Sequence, residues 1–367
     1  MTREVKADID LWVRPEIRAL SAYHVPDAGQ CIKLDAMENP YRWPDALVNM
    51  WLERLRDVPL NRYPDPSARR LQESLRSAMQ VPRDMAVLLG NGSDELIQMI
   101  ALTVAAPGRV ILAPEPSFVM YRLIAQVLGL KFAGVPLRAD FSLDVDAMLE
   151  AIELHQPAAV FLAYPNNPTG NLFDATSMRR VIAASPGLVV VDEAYAAFAS
   201  ATCMGLLVEF PNLLILRTVS KMGLAGLRLG LLAGPSDWLG EIDKTRLPYN
   251  INVVTQVSVE FALEHAGILE EQTQRIRRDR ARLQDTLASF PELTVYPSEA
   301  NFVLFRTPPG TANTVYVRLR QGGILIKNLH GAGAALADCL RVTVGTAGEN
   351  EAFVRALRDT LSVQHFE

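Results

Sequence analysis

Between residues 85 and 220 the chain repeats one alternation: a short, continuous apolar run, then an amphipathic stretch of helical length. The apolar runs are "MAVLLG", "RVILAPEPSF", "KFAGVPL", "AAVFLAYPNNPTG", "GLVVVDEAY" and "NLLILRTVS". Between them lie "SDELIQMIALTVA", "FVMYRLIAQVLG", "DVDAMLEAIE" and "MRRVIAAS". Within each run apolar residues follow one another without polar interruption, so both faces of each strand are covered. Strands of this kind separated by helices argue for an α/β fold, a mostly parallel central sheet flanked by helices.

After about residue 245 the texture changes. A long, charge-rich helical stretch, "VVTQVSVEFALEHAGILEEQTQRIRRDRARLQDTLASF", leads to short strands in "LTVYPSEANFVLFR", "GILIKNL" and "CLRVTVG" and a closing helix, "ENEAFVRALRDTLSVQ". This predicts a smaller α+β domain. The expected division is a large domain over residues 36–245, with an N-terminal arm (1–35) and residues 246–367 forming the smaller part. A chain of 367 residues has room for both. In the arm a helix is expected around "RPEIRAL". Pro64 and Pro66 hold "NRYPDP" extended, and a helix is expected from about Ser67.

Charge and composition narrow the function. The formal net charge is -5 and no basic run is present, so nucleic acid is not an expected partner. No apolar run approaches the roughly 20 residues needed to span a bilayer. The N-terminus, "MTREVKADID", is charged from the start and does not read as a signal peptide. The three cysteines, Cys31, Cys203 and Cys339, are few and far apart. That fits a reducing compartment, and a cytoplasmic location is expected, each cysteine acting as a small buried hydrophobe. The five histidines are scattered, and no catalytic metal is expected.

Ligands of parallel α/β sheets bind at the carboxyl ends of the strands. The first strand delivers Gly90, Asn91, Gly92, Ser93, Asp94 and Glu95 at a helix start, where backbone N–H groups meet an anion or Ser93 and Asp94 simply cap the helix. "PEPSF" delivers Phe118, an aromatic plate or a core residue. "YPNNPTG" delivers Asn166 and Asn167, or a plain turn. "LVVV" delivers Asp192 and, three residues on, Tyr195. A carboxylate behind four apolar residues is costly to bury without a positive partner, such as a protonated ring nitrogen; it also serves as a helix cap. "LLILRTV" delivers Ser220 and Lys221, with Arg228 seven positions later. A partly desolvated lysine has a lowered pKa and forms Schiff bases; an exposed one is only surface charge. No single feature is specific. The ordered set of anion cradle, aromatic plate, carboxylate, phenol, lysine and arginine is the inventory that pyridoxal phosphate requires.

The chain resembles the class I and II pyridoxal-phosphate aminotransferases of fold type I, and among them the branch that acts on histidinol phosphate. The likeness covers nearly the whole chain. It is carried by "AMENPY", "NRYPDP", "GNGSDE", "PEPSF", "YPNNPTG", "VVVDEAY", "SKMGLAGLRLG", "SEANFVLFR", "GILIKN" and "CLRVTVGT". The resemblance implies that Lys221 bonds covalently to the cofactor, that Asp192 pairs with its ring nitrogen, and that Asn167 and Tyr195 bond its ring oxygen. It implies Ser93, Asp94, Ser220 and Arg228 at the phosphate, with Phe118 stacked on the ring. It also implies a homodimer, with Tyr63 reaching the neighbouring subunit's cofactor. Substrate contacts implied are Arg341, Lys327, Tyr23 and Asn39. Met37 stands where the family commonly has asparagine, Phe118 where it has tyrosine, and Lys327 where it has arginine.

The activity so implied is a ping-pong transamination of histidinol phosphate with 2-oxoglutarate, giving imidazole-acetol phosphate and glutamate, within histidine biosynthesis. Lys221 serves as the general base at Cα. One anion site then serves both a phosphate ester and a carboxylate, which suits a bidentate arginine, Arg341. Two alternatives share the cofactor site: a lyase similar to threonine-phosphate decarboxylase, and an aminotransferase for aromatic or other amino acids. A third, the sensing module of a transcription regulator, needs a DNA-binding domain for which the sequence leaves no expected room.

Overall fold

The computed structural model describes residues 5–22 and 26–362, with side chains from residue 9 onward. Its strands are β1 (Ile32–Lys33), β2 (Ala86–Gly90), β3 (Val110–Glu115), β4 (Lys131–Pro136), β5 (Ala159–Ala163), β6 (Leu188–Asp192), β7 (Leu213–Thr218), β8 (Gly230–Gly234), β9 (Thr294–Val295), β10 (Phe302–Arg306), β11 (Ile324–Leu325), β12 (Lys327–Asn328) and β13 (Cys339–Thr343). Seven of them form the large sheet, in the order β2-β8-β7-β6-β5-β3-β4. The pairs β3–β4, β3–β5, β5–β6 and β6–β7 are parallel, as the continuous apolar runs predict. The chain is thus an α/β protein with a mostly parallel central sheet.

Both faces of that sheet are covered. Val189 and Val191 of β6 join one core layer with Met148, Ile152, Val181 and Ile182 from helices Val145–His155 and Ala175–Ala184. Leu188 and Val190 turn the other way, against Leu96, Ile97 and Ile100 of helix Ser93–Val104 and Tyr121 of helix Met120–Val127. Successive side chains of a strand leave opposite faces, so one unbroken apolar run feeds two cores. Every residue of β5 and β6 is buried.

One strand is not expected from sequence. β8 holds only Leu231, Leu232 and Ala233 between two glycines, and it follows directly on the turns after Lys221. It runs antiparallel to both β7 and β2. Its first residue, not its last, therefore reaches the edge where the parallel strands end, and this carries Arg228 to that edge.

The smaller sheet is antiparallel, ordered β12-β13-β10-β9. The predicted long helix divides at His265 into Val253–Glu264 and Ala266–Ala288. The first half gives Val259 and Ala262 to the core of the large sheet. The second gives Ile276, Leu283 and Leu287 to the core of the small one. The segment after β1 threads between the sheets: β1 pairs with β11, Leu34 N–H donates to Leu325 O, and Thr343 N–H to Leu34 O. Residues 35–38 then emerge beside the ends of the large sheet's strands. No helix among the described residues is long and apolar enough to cross a membrane.

Candidate active site

The carboxyl ends of β2, β3, β5, β6 and β7 and the start of β8 surround a cavity of about 190 Å³. Its lining includes Ser93, Asp94, Phe118, Asn167, Asp192, Tyr195, Ser220, Lys221 and Arg228, joined by Met37 and Glu38 from the threading segment. Nine residues singled out from five separate sequence motifs are thus brought to one place.

The anion cradle is built by close backbone approach. Gly92 has φ +87°, and a Cβ there would lie 2.5 Å from Arg228 Nη2. A Cβ on Gly230 would lie 2.7 Å from the Gly92 carbonyl carbon and from Ser93 N. Only glycine admits the crossing of β8 over the helix start at this distance. Helix Ser93–Val104 has no side-chain cap from Gly92, and its first residues, Ser93 and Asp94, line the cavity with Arg228. Asp94 lies 3.6 Å from Arg228. Thr218 Oγ1 is 2.9 Å from both Ser220 Oγ and Leu229 O and accepts from Ser220 N–H at 3.1 Å, fixing the turn that carries Lys221.

Asp192 ends β6 at 5% exposure. Burial pushes its carboxyl up to about 6, against two opposing hydrogen bonds: Tyr121 Oη donates to Oδ2 at 2.7 Å and Ala194 N–H to Oδ1 at 3.0 Å. Tyr121 is clamped between rings, stacked on Phe161 at 4.8 Å and edge-on to Phe118 at 5.6 Å. Tyr121 was not foreseen. Its helical spacing, three residues after Phe118, is the one available signal, and it announces burial without saying which atom the hydroxyl meets.

Burial, then the nearby Arg341 charge, lowers the Lys221 ammonium to about 8. Its Nζ sits 5.7 Å from the Tyr195 ring centroid. The Tyr195 hydroxyl accepts from Asn167 Nδ2 at 3.2 Å and lies 3.4 Å from Met37 Sδ. Asn166, buried behind, ties two strand-end loops together: it accepts from Ser117 Oγ at 2.9 Å and donates to Pro116 O at 3.0 Å.

Of the expected substrate residues, Arg341, Lys327 and Asn39 are not among those lining the cavity. Arg341 is buried on β13; it donates to Asn167 Oδ1 and, at 3.1 Å, to Asp35 O, joining the small sheet to the strand-end loops of the large one. Lys327 opposes Arg341 across the β12–β13 pair, so the two side chains leave the same face. Asn39 does not turn its amide into the cavity: Nδ2 donates to Met222 O at 3.4 Å and Gln272 Oε1 at 3.1 Å, bracing the turn after Lys221. Tyr63 is 79% exposed, stacked on Tyr249 at 4.3 Å. Tyr23 lies outside the described residues.

The donor set fits pyridoxal phosphate. A lysine with a lowered pKa suits its aldehyde, a buried carboxyl lacking a cationic partner suits a protonated ring nitrogen, and a glycine-walled helix start with an arginine suits its phosphate.

Comparison with known proteins gives the same reading. The family model described as "Aminotransferase class I and II" matches residues 29–357. A protein of Nitrosococcus oceani named histidinol-phosphate aminotransferase 2 is 60% identical over 95% of this chain and 96% of its own. One of the same name from Cupriavidus pinatubonensis is 52% identical over 96% and 97%. In fold, the chain is similar to histidinol-phosphate aminotransferase from Sinorhizobium meliloti, solved in complex with pyridoxal-5'-phosphate. The TM-score is 0.85, with 24% identity over 95% of this chain and 97% of that one.

Proposed function

Because the chain belongs to the class I and II aminotransferase family, we propose that it is a pyridoxal-phosphate-dependent histidinol-phosphate aminotransferase. It exchanges an amino group between histidinol phosphate and 2-oxoglutarate, in the cytoplasm, as a step of histidine biosynthesis. The observation that carries this reading is Lys221, its pKa lowered to about 8, set in one cavity with Asp192 and the Gly92–Arg228 cradle.

Bound pyridoxal phosphate supplies an aldehyde that bonds to amines and a protonated ring that accepts electrons when a Cα–H bond breaks. The chain's own residues hold and steer that chemistry. Ser93 and Asp94 at the helix start, Ser220 and Arg228 grip the phosphate. Phe118, in the cavity lining, would stack on the ring. Asp192 keeps the ring nitrogen protonated, and that positive charge gives the buried carboxylate the partner it lacks. Asn167 and Tyr195 would donate to the ring oxygen. Lys221 would bond the cofactor's aldehyde and, once freed, would be the base that takes the proton from the substrate's Cα. With a pKa of about 8 it is neutral in a useful fraction at physiological pH, as a base must be.

Arg341, with Lys327 beside it, takes the substrate's anion, phosphate ester or carboxylate alike. Tyr23 is an added substrate contact in this reading, and Asn39 acts through its hold on the Lys221 turn. The division into a large part (36–245) and a smaller part (1–35 with 246–367) lets Arg341 approach from the far side of the cleft. A homodimer completes this reading, with Tyr63 reaching the partner's cofactor site; the exposure of the Tyr63–Tyr249 stack supports it.

The test is an absorbance spectrum of the loaded protein. A yellow band that bleaches with histidinol phosphate alone and returns with 2-oxoglutarate is the expected result. Indifference to histidinol phosphate, with carbon dioxide released from threonine phosphate in the absence of 2-oxoglutarate, would make it a lyase. A band indifferent to histidinol phosphate would overturn the substrate, and a protein that takes up no pyridoxal phosphate would overturn the site.

A further inference from the structure

Met37 holds a backbone conformation that methionine seldom adopts. Its φ is +53°, in the left-handed region. Two buried side chains enforce it: Thr343 Oγ1 accepts from Met37 N–H at 2.9 Å, and Asn301 Nδ2 donates to Met37 O at 2.9 Å. The enforced turn sends the thioether into the cavity, 3.4 Å from the Tyr195 hydroxyl. Asparagine is more at home at such a φ, and its Oδ1 stands the same number of bonds from Cα as Sδ. It would place a strong acceptor where methionine offers a weak one. The other near partner of that hydroxyl, Asn167 Nδ2, is a donor at 3.2 Å. The Tyr195 proton therefore has no strong acceptor among the side chains that touch it.

We propose that Met37 is a positioning residue: its thioether shields the Tyr195 hydroxyl and, by accepting poorly, leaves the phenolic proton for the ring oxygen of the cofactor. The proposal rests on the cofactor reading above. The charged groups acting on Tyr195 are Arg341 from β13, Asp192 from β6, Asp94 from the helix start and Lys221 over its ring. Glu38, next to Met37, is engaged by Lys33 at 2.6 Å.

The test uses Met37→Asn and Met37→Leu in the loaded enzyme, with the pH midpoint of the visible band, kcat and KM for histidinol phosphate, and the melting temperature of the cofactor-free protein. For Met37→Asn the midpoint rises by about one pH unit and kcat falls about 10-fold, the worth of one redirected hydrogen bond. KM stays near wild type, and the cofactor-free melting temperature is unchanged or higher. Met37→Leu, with no acceptor, keeps the wild-type midpoint. A Met37→Asn midpoint equal to wild type overturns the proposal, as does a Leu variant that shifts as far as the Asn variant. Failure of the cofactor reading is distinguishable, because it shows in the wild-type protein as the lack of any visible band.

Discussion

Asp192 and Glu193 are consecutive, both acidic and both buried, yet they live in opposite surroundings at the end of β6. Glu193 turns away from the cavity and is fully neutralised. At 0% side-chain exposure it takes Arg217 Nε at 2.9 Å and Nη2 at 2.7 Å, with Thr202 Oγ1 and Cys203 N–H as further donors. Arg217 also donates to Met79 O at 3.0 Å. Asp192 turns toward the cavity and receives one phenol and one backbone N–H, with no cation among the described residues. The back of the strand end is a finished ion pair that holds loops in place. The front is an unfinished one, short of a positive charge that, in the function proposed above, the cofactor's ring nitrogen brings. Structural carboxylates are satisfied within the fold; a functional one is held in reserve.

The largest test of this contrast is at the back. Glu193→Ala strands the Arg217 guanidinium, 13% exposed, and costs about 3–5 kcal/mol of stability, read by denaturant unfolding of the cofactor-free protein. A loss below about 1 kcal/mol would break the contrast. At the front, Asp192→Asn lowers kcat by about 10²–10³-fold, the scale of losing one aimed electrostatic partner, with a smaller change in KM. The same substitution makes the cofactor-free protein more stable at pH 7, by up to about 3 kcal/mol, since the carboxyl rises from 3.8 to about 6 on folding. The sign follows from linkage. A carboxyl with its folded pKa raised subtracts nothing below about pH 4, and its full cost is present above about pH 6. The wild-type protein without cofactor should lose this stability between those pH values, and Asp192→Asn should not. The smallest effect is at Tyr121→Phe. Removing one donor to a buried carboxylate costs about 1.5–3 kcal/mol of its charged form, so cofactor affinity falls roughly 10- to 100-fold while the unfolding midpoint at pH 4 barely moves. An unchanged affinity would show that the phenol does not tune Asp192.

Much of this front face is legible in the sequence, because parallel strands deliver their next residues to one edge. Phe118, Asn167, Asp192, Tyr195, Ser220 and Lys221 each follow an apolar run, and the topology alone gathers them. The hidden parts depend on contacts between distant segments. Tyr121 meets Asp192 across 71 residues, and nothing local distinguishes it from any aromatic on a buried helix face. β8 is masked by its glycines, which read as a turn, though they are what allows Arg228 to pass close to Gly92. Asn39 and Arg341 are placed by the threading segment and the small sheet; their residue types announce polarity, but which acceptor each one meets is decided by packing.

The pairing of β2 with β8 also sets an order of events. Gly90 meets Gly230 across 140 positions of chain, and every other strand of the large sheet lies between them in sequence. Such a contact closes a long loop, whose entropy must be overcome before the pairing returns anything, so it belongs late in assembly. The cradle of Gly92, Ser93 and Arg228 exists only once that seam is sewn. Cofactor uptake is therefore a readout of the last stitch of the sheet, and a chain that has collapsed and formed its helices but not this edge would stay colourless.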